Sequence, residues 1–248
     1  MTRHSPSSSH LRGLSLIELL VALALSLFLI AGLVAMYMST RRSYNIQQQS
    51  AALQRKERLT TTFVGSVVQS AGFYAAPQTY TPYTAFPVNS TFTTAAQVFY
   101  GTSASTNGNY ADTLSIRFLT APNDGVLNCL GHENSGASIQ LYVNRFSLDT
   151  QNDELECILS GPGLVAQKQP LISGVTSLHF LYGVDTNGDG SADVYAPANA
   201  IATSQWNAVR SVEIILKFAT RQAATGQAGT QGVPVTFRAT FPVRTSPL

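Results

Sequence analysis

RGLSLIE, residues 12–18, joins a polar, basic leader to a long apolar run. From residue 14 to residue 38 the chain holds 25 residues, and Glu18 is the only charged one among them. A helix of that length is roughly 37 Å long, which is enough to span a bilayer with some tilt. An ionisable group inside such a span is unfavourable in free energy and usually marks function. The partner of Glu18 is therefore the question on which the function depends.

A secretory signal peptide is one alternative for this N-terminus. Such peptides have apolar cores of about 7–15 residues, followed by a cleavage site of small residues. The run here is longer, and its best small-residue site, Gly13, precedes it. A plain membrane anchor, with Glu18 close to the membrane edge, stays open as a second alternative.

Residues 13–19, GLSLIEL, resemble the class III signal of type IV pilins and pseudopilins, whose usual form is GFTLIE. Leu14 stands in place of the usual Phe and Ser15 in place of Thr, while the glycine and the glutamate are present. The resemblance implies cleavage after Gly13 by a prepilin peptidase on the cytoplasmic side, and N-methylation of the new Leu14 amine. In a fibre, Glu18 is then expected to pair with the Leu14 amine of a neighbouring subunit and to set the register of assembly.

Three stretches narrow the resemblance to PilW-type minor pilins. Residues 14–32 look like the opening of these proteins, QSAGF at 69–73 is similar to the end of their N-terminal helix, and YGVD at 182–185 leads into a similar Asp/Gly turn. The family implies a non-catalytic subunit that primes pilus assembly and so supports twitching motility and adhesion. Its implied partners are other minor pilins, the major pilin and a tip adhesin.

The same resemblance implies a location. Before assembly, the chain is expected to cross the bacterial inner membrane once, with its N-terminus in the cytoplasm and its C-terminal domain in the periplasm. After assembly it is expected in the pilus fibre or at the tip.

The periodicity of the chain predicts an α+β fold, in which a long N-terminal helix, membrane-spanning in its first half, packs against an antiparallel sheet domain, as in pilins. The expected parts are a leader at 1–13, a membrane or fibre-core half of the helix at 14–38, its amphipathic half at 39–72, and an extracytoplasmic β-rich domain at 73–248.

The amphipathic half is expected to pack on the domain through apolar residues near helical spacing, and to end at Gly72. These residues are Ile46, Leu53, Leu59, Phe63 and Val67. Residues 75–108 are predicted to be mostly loop, because prolines recur there. Alternating patterns predict strands at 97–100, 114–118, 139–143, 155–159, 175–184, 209–218 and 235–243.

The composition bears on the expected partners and on the state of the cysteines and histidines. The net charge of the 248 residues is +2, only 11% of them are charged, and no basic run is interleaved with aromatics, so we expect no nucleic-acid partner. Cys129 and Cys157 are the only cysteines, and an even number in an exported domain favours one disulfide, with two free thiols as the alternative. We expect His132 to be exposed and His179 to be a hydrogen-bonded core residue.

DTNGDGSAD, residues 185–193, matches the first nine positions of an EF-hand-type calcium loop. The expected oxygen ligands are Asp185, Asn187, Asp189, Asp193 and the carbonyl of Ser191. The twelfth position is Ala196 instead of glutamate, so any Ca²⁺ affinity is expected to be weaker than that of a full site. A hairpin turn without a metal is the alternative, because Asp, Asn and Gly are common turn formers.

Other functions stay open at this point. A minor pseudopilin of a type II secretion system carries the same N-terminal signal, and a membrane-anchored adhesin or enzyme would also need the apolar helix. We expect no enzymatic activity, because the sequence has no G-x-S-x-G, no H-E-x-x-H, no phosphate-binding loop and no nucleotide fingerprint.

Overall fold

The computed structural model describes residues 15–106, 108–219 and 235–242. Within them, the chain divides into two compact units between Ala51 and Ala52. The helices are α1 (Leu16–Gln69) and α2 (Pro82–Ala85), with short 3-10 turns at Ala198–Ala200 and Thr203–Ala208. The strands are β1 (Phe99–Thr102), β2 (Ser105–Thr106), β3 (Asn109–Tyr110), β4 (Thr113–Thr120), β5 (Gln140–Asp149), β6 (Glu154–Ser160), β7 (Gln167–Ser173), β8 (Val175–Val184), β9 (Val194–Ala196), β10 (Val209–Phe218) and β11 (Val235–Pro242).

The first unit consists of the N-terminal part of α1. No proline interrupts the 54 residues of this helix, so its ladder of hydrogen bonds is continuous. Its apolar side chains are exposed, with Leu16 at 76% and Phe28 at 78%. Among the residues that the structure describes, α1 is the one helix long and apolar enough to cross a membrane, with a mean hydropathy of 2.8 over an 18-residue window. Its length and composition therefore suit a membrane anchor.

The end of α1 lies close to the predicted position. The helix ends at Gln69, and Gly72 follows with a φ of +75°, the left-handed conformation that glycine adopts without strain. The N–H of Gly72 donates to the carbonyl of Arg117 in β4 at 3.1 Å. The turn after the helix is thus fastened directly to the sheet.

The second unit contains two larger antiparallel sheets and a small hairpin. The five-stranded sheet has the order β1-β4-β5-β6-β7, the four-stranded sheet has the order β11-β10-β8-β9, and β2 pairs with β3. All of these pairings are antiparallel. The α+β fold class with a long N-terminal helix and antiparallel sheets is therefore confirmed.

Both larger sheets and the last turns of α1 share one apolar core. Val64, Val67 and Val68 of the helix are at most 1% exposed and lie in the same cluster as Phe118 of β4 and Phe180 of β8. The end of α1 therefore packs on the domain, as predicted, and supplies part of its hydrophobic interior.

The set of apolar residues predicted to pack α1 on the domain is wrong in part. Ile46 is 55% exposed and Leu59 is 40% exposed, while Thr60 and Val64 are fully buried. The buried face follows i, i+4 steps from Thr60 through Val64 to Val68, which one turn of helix places in line. The prediction favoured large apolar residues, but a threonine and valines let the helix approach the sheet closely.

Most predicted strands are confirmed, and the missed elements are those without an apolar pattern. β7 has the sequence QKQPLIS and is largely exposed, so its strand form depends on pairing with β6. β9 and the β2–β3 hairpin are two or three residues long. α2 lies inside the predicted loop because Pro82 occupies its first turn, where a proline fits, and Thr81 caps it.

Candidate functional site

Glu18 lies in the first turn of α1. Its N–H donates to the carbonyl of Ser15 at 3.0 Å, and the N–H of Leu19 donates to the same oxygen at 3.2 Å. A carboxylate at this place is stabilised by the positive end of the helix dipole. The predicted cleavage and N-methylation site, Gly13 and Leu14, lies outside the described residues, so its processing stays a prediction.

Among the described residues of the first unit, apolar side chains and no cations surround Glu18. Ile17 and Leu19 on either side of it are 69% and 60% exposed. The nearest basic residue that follows it in the helix is Arg41, which lies roughly 35 Å away along the axis, because 23 residues rise 1.5 Å each. A positive partner for Glu18 is therefore absent from the described part of this unit.

The acidic turn connects β8 to β9 and is held by its own backbone. The buried carboxylate of Asp185 accepts from the N–H of Gly188 at 2.6 Å and the N–H of Gly190 at 3.0 Å. Both glycines have a positive φ, +82° and +89°, which directs these N–H groups inward. Arg210 of β10 donates its Nε to the same carboxylate at 3.2 Å. The turn is thus tied to the neighbouring strand by an ion pair.

The other predicted ligands also receive N–H donors. Asp193 accepts from the N–H and the hydroxyl of Thr186, both at 2.8 Å. Asn187 donates its Nδ2 to Asp193 at 3.1 Å and to Asp189 at 3.2 Å, and the N–H of Ser191 donates to Asp189 at 2.8 Å. The turn therefore brings Asn187, Asp189 and Asp193 together.

These carboxylates have the chemistry that Ca²⁺ prefers, but each already accepts hydrogen bonds. Within the described residues, no group of three His, Cys, Asp or Glu side chains is arranged to hold a metal ion. The turn is a β-hairpin connection, as the alternative interpretation predicted, and Ca²⁺ binding stays a prediction.

Hydrogen bonding lowers the pKa values of two carboxyls in the turn. For Asp185, burial raises the pKa, but the N–H groups of Gly188 and Gly190 and the guanidinium of Arg210 lower it by more, so that it lies below its ordinary value of 3.8. The pKa of Asp193 is lowered from the same value, chiefly by the N–H and hydroxyl of Thr186. Both side chains therefore favour the ionised form in the folded protein.

Cys129 and Cys157 form the predicted disulfide. Both are fully buried, their Cα atoms are 6.2 Å apart, and the bond ties the loop between β4 and β5 to the middle of β6. The N–H of Cys129 also donates to Asn144 of β5 at 2.8 Å. Closing the loop between the cysteines contributes roughly 3–4 kcal/mol in the chain-entropy description.

The two histidines of the domain are close to their predicted environments, although His179 is hydrogen-bonded and only half-buried, not a core residue. His132 is exposed in the loop next to the disulfide. His179 of β8 shares a hydrogen bond of 2.6 Å with the buried carboxylate of Asp112, and its ring is stacked on Tyr110 at 4.0 Å. Asp112 also accepts from the N–H of Phe180, so the pair fixes the β2–β3 hairpin to β8.

Arg117 joins β4 to the segment from Phe86 to Gln97, and the sequence did not predict this role. Its side chain is fully buried in β4 and donates to the carbonyls of Phe86, Pro87 and Gln97. Its guanidinium lies 4.3 Å from the ring centre of Phe92. The strand pattern LSIRF indicated an outward-facing residue, and no signal in the sequence shows that the proline-rich segment covers that face.

Residues 134–242 match the family model described as Type IV Pilus-assembly protein W. The matched part includes β5 to β11 and the acidic turn, and the N-terminal helix lies before it. The predicted resemblance to PilW-type proteins is thus confirmed over that part of the chain. No curated protein matches the chain.

Among solved structures, a type IV-like pilin from Thermus thermophilus is similar to this chain. The two are 12% identical, the alignment covers 78% of this chain and 95% of that one, and the TM-score is 0.46.

Proposed function

We propose that this chain is a minor pilin, which α1 holds in the bacterial inner membrane until it is assembled into a type IV pilus or its tip. One observation carries the proposal: the exposed apolar run of α1, in which Glu18 is the only carboxylate, precedes a region that matches the pilus-assembly family model over residues 134–242. The role is structural and non-catalytic, and it contributes to priming of the pilus and so to twitching motility and adhesion.

In the membrane stage, the N-terminus is cytoplasmic and the domain is periplasmic. A prepilin peptidase removes residues 1–13 and N-methylates Leu14. The Cys129–Cys157 disulfide supports this orientation, because disulfides form and persist in the oxidising periplasm.

In the assembly stage, the exposed apolar side chains of α1 pack against other helices, those of minor pilins and the major pilin. Glu18 is then removed from water, and the Leu14 amine of a neighbouring subunit is the cation that meets it. A buried charge without a partner is unfavourable by several kcal/mol. A subunit in the wrong register is therefore excluded from the fibre.

Deletion of the gene tests whether the chain serves a type IV pilus or a type II secretion system. Surface piliation, twitching and protein secretion are measured in the same deletion strain. Loss of piliation and twitching with normal secretion is the expected result. Loss of secretion with normal piliation would identify a type II secretion pseudopilin instead. Unchanged piliation, twitching and secretion would overturn the proposal.

The Glu18→Ala variant tests the assembly step. We expect a normal amount of processed protein in the membrane, and more than tenfold less in sheared pili, because several kcal/mol correspond to more than a factor of ten. Ser26→Ala, a change in the same exposed apolar segment, is the matched control and should enter pili normally. Equal incorporation of both variants would remove Glu18 from the mechanism.

Calcium binding by residues 185–193 is a second part of the proposal, supported by the nine-position match to a calcium loop. Adding Ca²⁺ should raise the melting temperature of the protein, whereas Mg²⁺ should raise it less. Asp189→Ala should abolish the shift, because it removes one of the predicted oxygen ligands. Asp189 is exposed, and within the described residues Arg210 forms its ion pair with Asp185 instead, so the change leaves that ion pair in place. A melting temperature that does not respond to Ca²⁺ would remove the metal from the proposal.

A further inference from the structure

Two tyrosines and two arginines lie at the C-terminal end of the apolar run of α1 and in the two turns after it. Tyr37 and Tyr44 are each 60% exposed, and Arg41 and Arg42 are exposed between them. The guanidinium of Arg41 lies 5.6 Å from the ring centre of Tyr37, one turn earlier in the helix. The Tyr44 hydroxyl accepts from the side-chain amide of Gln48 at 2.7 Å. Rings with polar ends and long basic side chains are the groups that suit a membrane–water interface.

The charges of these arginines are not neutralised by their own helix. The sequence holds no acidic residue between Glu18 and Glu57. Within the described ranges, the ion pairs of the protein involve neither Arg41 nor Arg42. A ligand with negative charge is therefore expected at this level of the helix.

The directions of the two arginines favour lipid over protein as that ligand. Neighbouring residues of a helix point about 100° apart around the axis, so Arg41 and Arg42 face different sides at the same height. Before assembly, a single protein partner that docks on one side of α1 would bring its carboxylates to one arginine. Lipid headgroups surround a membrane helix on all sides, and their phosphates reach both.

We propose that Tyr37, Arg41, Arg42 and Tyr44 form an interfacial band that binds the phosphates of anionic lipid headgroups and fixes the depth of α1 in the bilayer. This inference rests on the proposed membrane stage of the chain. It assigns to the periplasmic end of the span a binding surface separate from the register function of Glu18.

The interfacial band also determines the position of Glu18 before assembly. Arg41 and Glu18 are separated by roughly 35 Å along the helix, whereas the hydrocarbon core of a bilayer is about 30 Å thick. With the band at the periplasmic headgroups, Glu18 lies at the cytoplasmic headgroups. Its carboxylate then stays hydrated in the membrane and loses its water only when the subunit joins the fibre.

The test uses the full chain in vesicles of phosphatidylcholine, with and without phosphatidylglycerol. Spin-labelled phosphatidylglycerol and phosphatidylcholine report which lipid contacts the helix. In a second measurement, a nitroxide on Ser39→Cys reports depth. The wild type should prefer phosphatidylglycerol, and this preference should fall about fivefold for each arginine removed, because one arginine near an anionic surface contributes about 1 kcal/mol. In Arg41→Gln/Arg42→Gln, the label at position 39 should also move toward the hydrocarbon.

Arg55→Gln/Arg58→Gln is the matched control, because it removes two exposed arginines that lie beyond Ala51. It should leave lipid preference and depth unchanged, and Arg41→Lys/Arg42→Lys should retain both. Equal lipid preference and depth in wild type and Arg41→Gln/Arg42→Gln would overturn the inference, as would an equal loss in the control. A wild-type chain that alkaline carbonate strips from the vesicles would overturn the membrane stage itself.

Discussion

The two units of this chain use their apolar residues in opposite ways. In the first, Leu25 is 61% exposed and is typical of its neighbours, whereas Val67, in the part of α1 that belongs to the second unit, is 1% exposed. The second unit packs a large set of apolar side chains into a core of its own. An exposed apolar surface as long as that of the first unit marks a surface that lipid or other helices cover.

The two units differ in what their side chains stabilise. Side chains of the second unit contribute to the free energy of unfolding of the domain, because their partners are present in the same chain. On the proposed function, side chains of the first unit contribute instead to association with a membrane or with other subunits. Substitutions of buried residues in the second unit should therefore destabilise the domain, and substitutions in the first unit should not.

Arg117→Met should have the largest effect on stability. The guanidinium donates to three backbone carbonyls in a fully buried site, and burial lowers its pKa only to about 10, so it stays charged at neutral pH. Methionine fills similar space but leaves these carbonyls without donors. We expect a loss of roughly 3–5 kcal/mol in the free energy of unfolding. Urea unfolding followed by the fluorescence of Trp206, the only tryptophan, measures it.

Arg145→Met is the matched control for Arg117→Met. Arg145 lies on β5, is exposed, and pairs through its backbone with Ser115 of β4. Its replacement should change the free energy of unfolding by less than about 0.5 kcal/mol. Similar losses in both variants would show that the three carbonyl contacts of Arg117 do not stabilise the domain.

Two glycines of the same helix should respond differently to alanine. At Gly65 an added Cβ would lie 2.8 Å from a ring carbon of the buried Phe241 in β11, whereas at Gly32, in the first unit, it would meet nothing within 4 Å. Gly65→Ala should therefore destabilise the domain by roughly 1–2 kcal/mol, because overpacking outweighs the better helix propensity of alanine. Gly32→Ala should leave the urea midpoint of the domain unchanged. An equal shift in both variants would mean that the two units do not differ in their contribution to the stability of the domain.

Acid should remove the contribution of Asp185, with a smaller effect. Its pKa is lowered in the folded protein, so its stabilisation is complete above the ordinary value of 3.8 and is lost as the pH falls below that value through the folded pKa. Asp185→Asn should accordingly melt below wild type at neutral pH, and the two curves should converge at acid pH. A gap in melting temperature that stays constant from neutral pH to pH about 2 would contradict this linkage.

The sequence predicts those parts of the molecule whose pattern is local. The helix and the long strands follow from runs and alternation of apolar residues, and the end of the helix follows from the glycine at position 72. The acidic turn was found for the same reason, since its glycines and carboxylates are adjacent in the chain. The pairing of Cys129 with Cys157 needed only their even number.

Features that depend on distant partners were not predictable. Arg117 has an outward position in β4, and only the folded segment from Phe86 to Gln97 buries it. The polar strand β7 exists because β6 offers it a ladder of hydrogen bonds. Arg210, the ion-pair partner of Asp185, comes from β10, and no local pattern connects the two. The residues missing from the predicted site are therefore those whose contacts cross between strands.

The smallest expected effect is the one that tests the comparison most directly. Leu25→Ala removes a large apolar side chain from α1, yet it should change the free energy of unfolding of the domain by less than about 0.5 kcal/mol, because no core surrounds it. Val67→Ala removes less apolar volume from the same helix and should lower that free energy by roughly 1–3 kcal/mol, because it leaves a cavity. Urea unfolding in detergent, followed at Trp206, measures both. A loss for Leu25→Ala that equals the loss for Val67→Ala would mean that the first unit stabilises the domain, and its exposed surface would then need an explanation other than assembly.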